Sequence, residues 1–364
     1  MKFLEVSLSA KSTNMRKYIK NITIFSIILL VSCQKHTYSP NGIYSEGGII
    51  TFSTRVETKA PIITEMNGKH FGVYGYNFSN LQNWNTFRAT ATPNVFYNLD
   101  VSCAQTDGVC SYSVDTDTDI NGLEEWLLNT KYSFFAYYPF NTASSSIVLS
   151  QKTDIDTPFI NYSLPNPTDG QVDPDNLQDI MTAKVTDYSA TQGTTVRFTF
   201  YHRLFCIDLY GQNFNTDAVT ISNLSMTISG IEYDTSKIYM DREIASEPQK
   251  TDSWSTSSTL TFPILSSMTL EGKAEAKCLS GDKNIMLIPQ DSSIEGASGL
   301  NVIIRFTKTS GTESTDVELE SNYKVNFKEG KKYSLTINFV GEQVIVVAAD
   351  AAPWEKKDVT HTFD

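Results

Sequence analysis

Several patterns that would point to chemistry are missing from this chain. There is no Cys-x-x-Cys pair, which removes the usual zinc and thioredoxin-like arrangements. Gly-x-Ser-x-Gly, the phosphate-binding P-loop, Gly-x-Gly-x-x-Gly and His-Glu-x-x-His are all absent. The four histidines, His36, His70, His202 and His361, are scattered, so no metal site, no cofactor and no enzymatic activity are expected. Positive charge is also short: 29 Lys and Arg face 41 Asp and Glu, a formal charge of −12. That balance argues against a nucleic-acid partner and for a well-hydrated surface. Helical periodicity is missing beyond the N-terminus, except for the short helix candidate Gly122–Leu128.

What is present begins at the N-terminus. Arg16, Lys17 and Lys20 precede an apolar run from Ile22 to Val31, followed by Ser32 and Cys33. The run is about 10 residues, too short to span a bilayer as a helix. The order of basic region, apolar region and small residue is that of a secretory signal. Leu30-Val31-Ser32-Cys33 resembles a bacterial lipobox, which implies cleavage before Cys33 and a lipid on its sulfur. Met15, which opens Met-Arg-Lys, is the expected start of translation. Residues 1–32 hold five Lys/Arg and one acidic residue, so their removal takes the formal charge from −12 to −16. Two or three acyl chains, at roughly 0.8 kcal/mol per buried CH₂, would hold the mature chain firmly on a membrane.

The rest reads as strands. Val196–Tyr201, Cys206–Tyr210, Leu300–Phe306, Tyr333–Phe339 and Val344–Ala348 are short, β-rich and separated by turn signals such as Asn67-Gly68, Ser310-Gly311 and Glu329-Gly330. Such a pattern predicts an all-β chain of β-sandwich domains. The polar stretch 186–194 suggests a boundary. The expected organisation is a signal at 1–32, a tether at 33–48, one sandwich over 49–190 and a second over 191–364.

Four cysteines remain beyond the lipid site. Cys103 and Cys110 flank a short polar loop, and their spacing permits either a hairpin disulfide or two unpaired thiols at a strand end. Cys206 and Cys278 read as buried small hydrophobes. Asp117, Asp119 and Asn121 follow the spacing of a calcium loop, but Leu128 stands where the bidentate glutamate belongs, so a solvated acidic loop is the better reading. Aromatics cluster at Phe71, Tyr74, Tyr76, Phe78 and Trp84, and again at Trp126 and Phe134–Tyr138. Exposed rings would stack on sugars, which makes a glycan-binding lipoprotein of a polysaccharide-uptake system the alternative function. The alternation of Phe134, Ala136 and Tyr138 against Phe135 and Tyr137 fits a buried strand better.

Four landmarks together resemble the fimbrillin family of Bacteroidetes, the lipoprotein subunits of protease-assembled pili. They are Ile49–Phe52 followed by Ser53–Ala60; Trp126 with Tyr132–Pro139; Gln178–Ala183 leading into Val196–Leu204; and the valine-rich ending from Val344 to Trp354. The resemblance implies two tandem transthyretin-like β-sandwiches. It also implies an outer-membrane lipoprotein at the cell surface, with other pilin subunits as partners and adhesion to a host or bacterial surface as its work. It implies an assembly route as well, in which an arginine-specific protease removes the first strand and a strand of another subunit fills the gap. Arg55, in a polar turn-like stretch after the strand 49–52, is the cleavage candidate. Val344, Ile345, Val346, Val347 and Ala348 form the candidate donor strand. The charged tail Glu355–Asp364 is not what a terminal donor needs, which leaves an anchor or tip role open beside the stalk.

Overall fold

The computed structural model describes residues 45–353, apart from 57–64, 105–108, 113–123, 141–145, 166, 168–169, 233–235, 242–256, 282, 294–298 and 349–351. From Ser45 onward the described residues form one compact unit. The chain is built almost wholly of strands. We label those that matter below as β1 (Ser45–Ile49), β2 (Thr51–Val56), β3 (His70–Ser79), β4 (Phe96–Cys103), β5 (Val109–Tyr112), β6 (Glu125–Leu127), β7 (Thr130–Tyr138), β8 (Met181–Tyr188), β9 (Thr195–His202), β10 (Phe205–Asn213), β11 (Val219–Glu232), β12 (Ser257–Leu270), β13 (Leu300–Ser310), β14 (Glu313–Tyr323), β15 (Lys331–Val340) and β16 (Gln343–Ala348).

Seven strands close into a barrel in the order β8-β9-β2-β5-β4-β3-β7. All its neighbours are antiparallel except β2 and β9, which run parallel. The interior is aromatic: Phe52, Phe71, Phe96, Phe134, Phe198, Phe200 and Trp126 are all buried. On β3 and β7 the alternate residues are buried too. Phe71 and Val73 face the barrel, while Tyr74, Tyr76 and Phe78 join a second core; Phe134 and Phe135 divide the same way. Burial on both faces explains why these strands read as near-continuous apolar runs. Close packing also fixes a glycine: Gly72 lies opposite Tyr137, and a Cβ there would run into its ring.

Past the barrel lie two larger sheets, with a three-stranded sheet (147–149, 159–162, 236–239) and a two-stranded one (290–291, 326–327) beside them. One has the path 277–278, β10, β15, β16, with 285–287 added beside β10 and 352–353 beside β15. The other has the order β12-β11-β13-β14. Their facing side chains, among them Leu209, Ile221, Met226, Ile304, Leu335 and Phe339, share one core with the outer aromatics of β3 and β7.

Two sequence expectations change. Residues 186–194 do not lead out of the first sheet system; 186–188 finish β8 and 189–194 join it to β9, and both strands belong to the barrel. The chain crosses over only after His202, through Arg203 and Leu204. The helix candidate at 122–128 contains strand β6, paired with β1; residues 122–123 lie outside the described set. A helical turn appears instead at Trp84–Phe87, capped by Asn83, whose Oδ1 accepts from the Thr86 amide at 3.0 Å.

Candidate functional site

The first barrel strand is held unevenly. β2 is in register with β9 along its whole length, from Thr51 opposite Thr195 to Val56 opposite Phe200. On its other side it meets β5 only at Phe52 and Ser53 among the described residues. Side chains compensate for the thin ladder. Ile50 and Phe52 point inward and are buried. Phe52 stacks on Phe198 at 5.6 Å between centroids and meets Tyr112, Phe96 and Phe134 at 5.7, 5.9 and 5.9 Å. Burying such a ring contributes about 1.5–3 kcal/mol, and each aromatic contact adds about 0.5–1.5 kcal/mol. The Tyr112 hydroxyl donates to the Ile50 carbonyl at 3.0 Å. Burial pushes that phenol up to about 12.

Arg55 lies inside β2, not in the turn-like stretch its polar neighbours suggest. Its side chain is on the solvent face, and its Nε donates to Thr199 Oγ1 at 3.0 Å. Thr54 faces inward, 3.6 Å from Cys103 Sγ and 3.8 Å from Cys110 Sγ. These two cysteines sit directly opposite each other on β4 and β5 and are joined by a disulfide, with Cα atoms 3.9 Å apart. The bridge therefore forms part of the wall against which β2 rests.

The candidate donor strand is β16. It pairs with β15 from Gln343 opposite Val340 to Ala348 opposite Leu335, and it ends the path of its sheet. Val344 and Val346 pack on the core. Ile345 and Val347 are 45% and 49% exposed. No charge lies along the strand, and among the described residues no strand pairs with its outer side.

Other sequence candidates fall elsewhere. The named aromatics Phe71, Tyr74, Tyr76, Phe78, Trp84, Trp126 and Phe134–Tyr137 are buried, and Tyr138 is half-buried, so they present no platform for a sugar. His202 Nδ1 is 2.8 Å from Asp179 Oδ1, both fully enclosed. Lys332–Asp208 at 2.7 Å and Arg203–Glu329 at 3.1 Å are two further buried pairs near the crossing between barrel and sheets. Sequence reading missed these pairs, because their partners lie apart in the chain and only the fold brings them together. Cys206 is buried and its thiol is pushed well above the usual range by that burial. Cys278 is only half-buried, beside Ser280 Oγ at 3.3 Å. Cys33 and the calcium candidates Asp117, Asp119 and Asn121 lie outside the described residues. Among the described residues no cluster of three or more His, Cys, Asp or Glu is placed to hold a metal ion, and no helix is long and apolar enough to cross a membrane.

The structure thus defines an all-β protein whose conspicuous features are sheet edges and a deep-seated first strand. The chain belongs to the fimbrillin-like family, whose model matches residues 54–354; this is a family of structural proteins, not enzymes. Among solved structures it is similar to a fimbrial protein of Bacteroides vulgatus, with 19% identity, 84% of this chain and 99% of that one covered, and a TM-score of 0.63. That likeness extends to the fold. A candidate cell adhesion protein of Bacteroides ovatus matches at 14% identity over 86% and 99% of the two chains, TM-score 0.49. Another from Bacteroides uniformis matches at 16% over 87% and 100%, TM-score 0.45. No curated protein matches this chain.

Proposed function

We propose that this protein is a subunit of a cell-surface pilus, tethered to the outer membrane through lipid on Cys33, and joined to other pilin subunits by strand exchange. In this reading the chain comprises two tandem transthyretin-like sandwiches that meet at Arg203–Leu204. Cutting after Arg55 releases the segment carrying Ile50, Phe52 and Thr54, and β9 and β5 become the two walls of an open seat. A strand from another subunit fills it, satisfying both the backbone ladder and the apolar pockets. The β16 segment is the part of this chain that serves as donor, and adhesion to a surface receptor follows from the polymer.

The observation that carries the reading is the construction of β2. It is bound tightly through one ring and one ladder, loosely on its second side, and it holds an exposed arginine one residue before its end. Because Arg55 is paired in the strand, cutting requires the end of β2 to open first. The test is limited digestion of Gln34–Asp364 with an arginine-specific protease, followed by N-terminal sequencing and gel analysis without heating. Cleavage after Arg55 with SDS-resistant species larger than the monomer is expected. A chain that resists cleavage there contradicts assembly by this route, while one that is cut and stays monomeric alone at every concentration points to an anchor or tip place, joined through a different subunit.

A further inference from the structure

If β2 leaves as proposed above, the seat it vacates has a chemistry of its own. Its inward positions fall at every second residue: Ile50, Phe52, Thr54. The middle one is deep and lined by the rings of Phe96, Tyr112, Phe134 and Phe198, all within 5.9 Å of the Phe52 centroid. The next one is shallow, because the Cys103–Cys110 bridge closes its floor within 3.8 Å of Thr54 Oγ1. The direction is set too, since β2 runs parallel to β9 and antiparallel to β5. An incoming strand must place a large side chain first and a small one two residues later.

The chain's own donor candidate reads Val344-Ile345-Val346-Val347-Ala348-Ala349. When Ala348 or Ala349 lies over the disulfide, Val346 or Val347 falls in the ring-lined pocket. Sliding the strand two residues on brings a valine onto the disulfide and Val344 or Ile345 into the pocket. Each of these registers leaves an aliphatic group where four rings once met a fifth, so part of the pocket stays empty and its contacts are lost.

We infer that the acceptor seat of this subunit selects a strand with an aromatic residue two positions before a small one, supplied by a different subunit, in preference to its own C-terminal strand. Self-joining is then the weaker choice and mixed joining the stronger. Discrimination of this kind rests on filling an apolar pocket, where a few missing carbons change affinity about 10-fold or more.

The experiment uses Gln34–Asp364 cut after Arg55 and separated from its released segment. Four labelled peptides are titrated by fluorescence anisotropy: the 48–55 sequence, its Phe52→Val form, its Thr54→Leu form, and the 343–349 sequence. The 48–55 peptide is expected to bind at least about tenfold more tightly than each of the other three. Equal or tighter binding by the valine form or by the 343–349 peptide overturns the selectivity while leaving strand exchange intact. If the cut chain binds none of the four, the strand-exchange reading itself fails, and this inference fails with it.

Discussion

The second half of the molecule ends its two larger sheets in opposite ways. β14 is eleven residues long and carries Glu313, Asp316, Glu318 and Glu320. Three of them are engaged across the ladder with β13: Arg305 Nε donates to Glu318 at 2.7 Å, Thr307 to Asp316 at 2.8 Å and Asn301 to Glu320 at 2.9 Å. Another strand cannot approach that edge without burying carboxylates. β16 has no charge and shows Ile345 and Val347 to solvent. One edge is closed to pairing, and the other is left adhesive. The contrast locates the joining surface better than any single residue, because both strands share one solvent and one core.

The largest effect is expected from exchanging the two characters. Ile345→Lys with Val347→Lys should abolish the SDS-resistant species after cleavage. The intact monomer should unfold at nearly the same urea concentration, since substitutions at exposed positions usually change stability by within about 0.5 kcal/mol. The reverse change, Asp316→Val with Glu318→Val, should create a second sticky edge, seen as aggregation of uncut protein by light scattering. Next comes the seat of the first strand. Phe52→Ala should destabilise the intact chain by about 3–5 kcal/mol in urea unfolding and quicken cleavage after Arg55. Removing the bridge with Cys103→Ser and Cys110→Ser should cost about 2–3 kcal/mol, because only a short loop is closed. Alkaline pH should give the smallest effect. The folded state holds the Tyr112 proton more tightly than the unfolded chain does. Its contribution is therefore complete below the ordinary tyrosine range and is lost as pH rises from there through about 12. Tyr112→Phe should flatten that part of the stability profile.

Much of the fold was legible because strand alternation is strong: Thr195–His202, Leu300–Ser310 and Lys331–Val340 extend stretches that the pattern already marked. What stayed hidden depends on distant pairing. Glu124, Glu125, Trp126 and Leu127 look helical in isolation, yet pairing with β1 and burial of Trp126 against Tyr132 at 4.8 Å draw residues 125–127 into a strand. Polarity at 186–194 resembled a linker, and nothing local shows that the strand after it returns to lie beside β2, more than a hundred residues earlier. Arg55 looked like part of a turn because Ser53, Thr54 and Arg55 are polar, although threonine and valine around it suit a half-buried strand. At the candidate site, the valine-rich donor segment was readable from composition. The ring-lined pocket was not, because Phe96, Phe134 and Phe198 come from three separate strands.

Amide hydrogen exchange on β9 tests the central claim most directly. The account predicts that those amides of Thr195–Phe200 that bond to β2 are protected in the intact chain, lose protection once the segment ending at Arg55 is cut and removed, and regain it when the cut subunits join. Protection on β9 that is indifferent to removal of the first strand, or that never returns in the joined species, would contradict it.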